Sequence, residues 1–168
     1  MHLIQYETPI SEFDNFPRPW VFLAGPTVRG NQQHLTSWRG EALNLFHASG
    51  FKGTLISPEF ADKTASDKGK DWIPLWEYNG LIKCDHILMW IPRTRELIGL
   101  TTNFEFGYWM ARDRSKVTYG RPDDAYRIRY IDLMWNHDNT YYGGSSKSAK
   151  IFNTLSSTVA EVVSKLKA

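Results

Sequence analysis

Residues Cys84 to Pro92 read CDHILMWIP, and beyond a short loop Thr101 to Trp109 read TTNFEFGYW. The first stretch is a short continuous apolar run stopped by Pro92, the pattern of a strand buried on both faces. The second begins with polar residues and carries one carboxylate, Glu105, in what reads as the first turn of a helix. Gly107 lies two residues on, and aromatic side chains surround it. A strand, a loop and a helix start holding an acid are a common way to build a site at the carboxyl edge of a parallel sheet. The first stretch brings a second carboxylate, Asp85. Two carboxylates brought together at such an edge point to chemistry on a glycosidic bond.

Working outward, the same alternation repeats. WVFLAG (Trp20 to Gly25), GTLISP (Gly53 to Pro58), Asp85 to Ile91 and VTYG (Val117 to Gly120) read as strands, and Arg127 to Leu133 as a fifth. Helices are expected over Thr36 to Ser49 with Gly50 as the stop, Trp72 to Lys83 with Pro74 in the first turn, Thr102 to Arg114, and Ser146 to Leu166. HDNTYYGGSS reads as a loop. The first 19 residues, ending in Pro17 and Pro19, read as an arm or a short edge element. Short apolar strands alternating with helical stretches imply an α/β protein with a parallel sheet of about five strands and helices on both faces. The order of strands is not in the pattern, and a flavodoxin-like order is the natural expectation. No repeat and no boundary divides the chain, so 1–168 reads as one domain, with an arm over 1–19 and a terminal helix within 145–168.

The totals narrow the function classes. A chain of 168 residues fits one domain with a full core. A formal charge of +2, with scattered basic residues, implies no nucleic-acid polymer as partner. The single cysteine, Cys84, lies in an apolar run, which excludes a disulfide framework and suits a reducing compartment. No apolar stretch is long enough for a membrane helix, and the first residues lack the basic start of a signal peptide, so a cytoplasmic location is expected. The five histidines (His2, His34, His47, His86, His137) show no metal-ligand spacing, and no metal site is expected. Seven tryptophans can fill a core or wall a pocket for a flat ligand.

Each candidate residue has a structural reading beside the functional one. Thr102 and Glu105 match a capping box, where Glu at the third helical position bonds back to the cap amide. Glu105 also suits a nucleophile, because the positive helix end favours its ionised form. Gly107 allows close approach, and Trp109, one turn along, can form a pocket wall. Asp85 can cap a strand end or protonate a departing base, although a position opening the strand sits at the wrong edge. The loop AGPTVRG places Gly25, Pro26, Arg29 and Gly30 after the first strand, where backbone amides and a guanidinium can hold a phosphate or sugar hydroxyl. An ordinary turn explains it as well; it is neither a P-loop nor a dinucleotide fingerprint. Arg39 either assists from the next helix or faces solvent. Trp90, Arg93 and Arg95 end the third strand, and Tyr119, Gly120 and Arg121 the fourth, all at the carboxyl edge.

Together VFLAGP, SWR (Ser37 to Arg39), KCDHILMWIPR, TTNFEFGYW and VTYGRP resemble the nucleoside 2-deoxyribosyltransferase-like family over roughly Trp20 to Tyr130. The resemblance implies a flavodoxin-like fold, a homo-oligomer and a small-molecule nucleoside or nucleotide substrate, with no cofactor. It implies that Glu105 attacks C1′ of a 2′-deoxynucleoside to form a deoxyribosyl ester, which another base or water resolves, while Asp85 contacts the departing base. Phe22 to Pro26 and Gly107 match its motifs. The classical transferases carry a further acid about six residues before the nucleophile; here that position is Gly99. A related branch hydrolyses deoxynucleoside 5′-monophosphates, and GPTVRG, with Arg29 and Gly30, together with Thr101 or Thr102 is compatible with holding a phosphate, while Asn103 beside them is expected among the substrate-binding residues. The alternative class is a non-catalytic nucleotide-binding or sensing module on the same fold.

Overall fold

The computed structural model describes residues 1–29, 32, 34–62, 65, 69–141 and 150–167, with backbone alone for 138–141. Five strands, β1 (His2–Ile4), β2 (Trp20–Ala24), β3 (Thr54–Ile56), β4 (His86–Trp90) and β5 (Val117–Gly120), form one sheet in the order β1-β3-β2-β4-β5. Every pairing is parallel. The helices are α1 (Trp38–Ala48), α2 (Ile73–Lys83), α3 (Leu100–Arg112), α4 (Arg129–Tyr141) and α5 (Leu155–Lys167). This is the expected α/β flavodoxin-like sheet.

The strands are buried on both faces, as their unbroken apolar runs require. Val21, Leu23, Leu55, Leu88 and Trp90 face α1 and α5. Phe22, Ala24, Ile56, Ile87 and Met89 face a larger core built from α2, α3, α4 and the N-terminal segment. Neighbouring strand residues thus serve opposite layers.

Two elements differ from the sequence expectation. The fifth strand is not Arg127 to Leu133, which opens α4. Ile128, Ile131 and Trp135, all buried, recur at a helical interval that a β-rich composition concealed. The extra strand comes instead from the N-terminus. His2–Ile4 pairs with Thr54–Ile56 at the sheet edge, so the edge-element reading of the arm holds. A 3-10 turn, Ile10–Asn15, then sets Phe13 edge-on against Trp20 and Trp76. Beyond β5, where a flavodoxin-like sheet would place its last strand, a single parallel bridge joins Gly120 to Phe152. The terminal helix starts at Leu155 rather than Ser146, and positions 146–149 lie outside the described residues. The expected loop HDNTYYGGSS opens inside α4, which runs to Tyr141; its remainder, 142–146, lies outside the described residues.

The crossovers define where a site belongs. From β2 the chain crosses through α1 to β3 on one side, and from β3 it returns through α2 to β4 on the other. The loops after β2 and β4 therefore diverge, opening a crevice at the carboxyl ends of these two strands.

Candidate active site

The crevice is tightly seamed at its base. At Gly25, φ is +149°, and a Cβ there would lie 2.0 Å from the Trp90 carbonyl oxygen, so only glycine lets the two strand ends close. Arg39, 1 % exposed, donates to the carbonyls of Leu23 (3.0 Å), Gly25 (2.9 Å) and Pro26 (3.4 Å), and to Glu59 (3.2 Å). Trp38 Nε1 donates to the Pro26 carbonyl at 3.0 Å. Arg39 is thus a buried clamp on the β2 exit, not a surface residue.

Above this base lies a cleft of about 580 Å³ whose lining includes Thr27, Arg29, Lys70, Glu77, Glu96 and Thr101. That size falls within the range of small-molecule pockets. The loops after β2 and β4 are tied across it. Gln32 Nε2 donates to the Glu96 carbonyl at 2.5 Å, and His34 Nε2 lies 2.8 Å from Glu96 Oε2. Arg29 stands 4.0 Å from Glu77, and the Tyr6 hydroxyl donates to Glu77 Oε1.

Glu105 sits on the same side of α3 as Thr101, one turn away. It is half-buried. Burial, and then the neighbouring Glu77 carboxylate, push its carboxyl up to about 8, while Arg39 and Arg29 pull the other way. The capping-box reading is corrected here. Gly99, in the left-handed conformation with φ of 63°, starts α3 at Leu100, so Glu105 lies in the second turn with no capping bond. The helix end does not hold Glu105 ionised; crowding keeps it protonated at neutral pH. Gly99 is itself explained: a Cβ there would meet Pro26 Cγ at 2.7 Å.

Apart from Glu105 and Asp85, the described residues expected at the site divide into four groups. Arg29 and Thr101 line the cleft. Gly25, Pro26 and Arg39 build its base, as do Trp90, buried against the α1 and α5 layer, and Thr102, buried in α3. Trp109 is also buried, with Lys116 Nζ 4.6 Å from its ring, and forms core rather than pocket wall. Asn103 and Gly107 are each two residues from Glu105, about 200° around the helix, and face a different cavity. Gly30 lies outside the described residues.

Asp85 is not brought to the crevice. It precedes β4 at the amino edge, a strand length of roughly 16 Å from the carboxyl edge. There it accepts from the Trp20 amide (2.7 Å) and pairs with Arg18 (2.7 Å), which is the strand-end reading. Arg121 pairs with Asp132 at 2.9 Å, tying the β5 exit to α4 together with the Tyr119 hydroxyl, 2.8 Å from Asp132. Arg95 stacks over Tyr126.

The carboxylate whose charge bears on Glu105 is Glu77, which accepts from the Tyr6 hydroxyl. Sequence reasoning missed both. The only available signal was an acid in the middle of α2, four residues from buried Ile73 and one from buried Trp76. Among the described residues no His, Cys, Asp or Glu cluster could hold a metal, and none of their helices is long and apolar enough to cross a membrane.

A crevice at a topological switch point, lined by Glu77, Arg29 and Lys70 with Glu105 one turn beyond Thr101, is where an open α/β sheet takes a small polar ligand. Residues 18–123 match the family described as nucleoside 2-deoxyribosyltransferase like, and the chain belongs to that family. The family suggests glycosyl transfer activity and implies a small-molecule nucleoside substrate. No curated protein matches the chain.

Proposed function

We propose that the protein cleaves the N-glycosidic bond of 2′-deoxynucleosides or their 5′-monophosphates through a covalent deoxyribosyl-Glu105 ester, and passes the sugar to another base or to water. The observation that carries this reading is Glu105, one turn along α3 from the cleft-lining Thr101, with its carboxyl raised to about 8 by burial and by the cleft-lining Glu77. A carboxyl raised this far is protonated in most free molecules at neutral pH, and it attacks once its proton has gone to water.

The ionised Glu105 then attacks C1′, the C1′–N bond breaks with its electron pair going to the base, and solvent in the open cleft supplies the proton the base requires. The incoming base or water attacks C1′ in turn, releases the Glu105 carboxylate and gives up its proton to solvent. Arg29 and Lys70, both on the cleft, hold a 5′-phosphate where one is present. Asp85 takes no part in this scheme, because its carboxylate serves the amino edge of the sheet.

The test is incubation with each 2′-deoxynucleoside and monophosphate, with and without a second base, following base release by chromatography and the intact protein by mass spectrometry. Base release with a deoxyribosyl adduct on Glu105 is expected. Release in water alone marks a hydrolase, and new nucleoside formed only with added base marks a transferase. Glu105→Ala should abolish turnover while ligand affinity stays within about tenfold, ~1.4 kcal/mol. Turnover that survives Glu105→Ala overturns the nucleophile. Tight nucleotide binding with no release from any substrate would establish the sensing module instead.

A further inference from the structure

A larger cavity, about 960 Å³, lies between α3 and α4 on the side of α3 turned away from Glu105. Its position is set by the helix period: Asn103 and Gly107, which line it, are each about 200° around α3 from Glu105. It is therefore separate from the cleft, and the glycosidic reaction leaves it without a role.

Three observations give its chemistry. First, Arg93 lines it while only 5 % exposed, and its Nε has no partner. Of the five N–H groups of a guanidinium, one is engaged, by the neutral Asn103 Oδ1 at 2.5 Å. Among the described residues no carboxylate pairs with Arg93. A buried cation without a counter-charge is costly to hold. Second, Arg127 and His137 also line the cavity, whereas none of the described lining residues is Asp or Glu. The charged side chains described on its wall, Arg93 and Arg127, are both cations. Third, the remaining lining is apolar and aromatic, with Phe106, Met110, Tyr130 and Met134 presenting broad faces. Arg127 is the one described non-glycine residue with positive φ, 49°, at the turn that delivers α4. Such a conformation is retained where the surroundings require it.

We propose that the α3–α4 cavity binds a small molecule carrying an oxyanion on an apolar ring, the oxyanion meeting the Arg93 guanidinium and the ring lying between Phe106 and Met134. Phosphate and carboxylate share this chemistry. Arg93 would gain the counter-ion that the fold withholds, in a charge-assisted hydrogen bond.

The experiment is titration of the whole protein with phenyl phosphate, benzoate and benzyl alcohol, followed by calorimetry and by the thermal unfolding midpoint. Saturable binding of phenyl phosphate or benzoate is expected, and the stronger of the two names the oxyanion. Benzyl alcohol should bind at least tenfold more weakly. Arg93→Gln should lose the anion at least tenfold. Gly107→Leu keeps Arg93 and, with open space at that Cβ, places a side chain into the cavity; it should lose binding as well, which covers the case of Arg93→Gln failing to fold. Arg29→Gln, in the separate cleft, should leave the affinity unchanged. No saturable binding of either anion overturns the proposal. So does binding that disappears in Arg29→Gln but persists in Arg93→Gln and Gly107→Leu, since the anion would then occupy the cleft. Equal binding of benzyl alcohol would reduce the cavity to an apolar groove and overturn it too.

Discussion

At Glu105 the sign of every pH effect follows from one displacement. Its carboxyl is raised from 4.5 to about 8, chiefly by burial and secondly by Glu77. A carboxyl raised in the folded state favours folding while it is protonated. That contribution is complete below about 4.5 and is lost as pH rises through about 8. Stability should therefore fall between these limits by about 2–4 kcal/mol, allowing for partial solvent access. Glu105→Gln should remove that slope in urea unfolding measured across the window. Activity runs the other way, because attack needs the carboxylate: kcat/KM should climb with pH towards about 8. Glu77→Gln removes the repulsion but not the burial, so the climb should move to lower pH. A rate profile that stays flat from pH 5 to 8 in the unaltered protein would remove Glu105 as the titrating nucleophile.

At the scale of elements, Asp85 shows how a single carboxylate anchors a strand. Its two oxygens take the Trp20 amide and the Arg18 guanidinium, joining the starts of β2 and β4. Asp85→Ala should cost about 1–3 kcal/mol, as expected for a charge-assisted bond to a part-buried amide, seen as a lower urea midpoint. Turnover per folded molecule should be retained. Loss of turnover at unchanged stability would return Asp85 to the base-contacting role its motif implies. The central strands and α1 to α3 were legible because apolar runs, Gly-Pro stops and helix punctuation are local signals. Direction was legible too, since Asp85 opening its strand already placed it at the amino edge. The α4 segment was misread because Arg127 to Leu133 is rich in strand formers while Ile128, Ile131 and Trp135 obey a helical period. Glu77 was not legible, because its effect on Glu105 depends on α2 crossing the sheet, a long-range fact with no local trace. The start of α3 likewise turned on Gly99, whose left-handed backbone and contact with Pro26 outweighed the capping pattern three residues later.

On the scale of the whole molecule, the apolar surface is unevenly distributed. Leu100 and Phe104 are three-quarters exposed, at 75 % and 76 %, one turn apart on α3, and Tyr108 continues the ridge with its ring stacked on Phe104. Buried residues on the inner side of α3 already complete the core, so the ridge is surplus to folding. Scattered exposed apolar residues need no explanation, but a contiguous strip of large ones marks a contact surface. The strip lies beside the cleft, which Leu100 itself lines, so a second copy seated there would help close the crevice against water. We expect sedimentation equilibrium to give a mass above the 19.4 kDa of one chain. Phe104→Glu should shift it towards the monomer, because placing a charge in an apolar contact costs several kcal/mol per copy. Phe104 is exposed and packs on little of its own fold, so the variant should keep its unfolding midpoint at low protein concentration. A reduced kcat/KM in that monomer would tie assembly to the crevice, and unchanged kinetics would separate the two. A single-chain mass in the unaltered protein at all concentrations would leave the ridge with no self-association to explain.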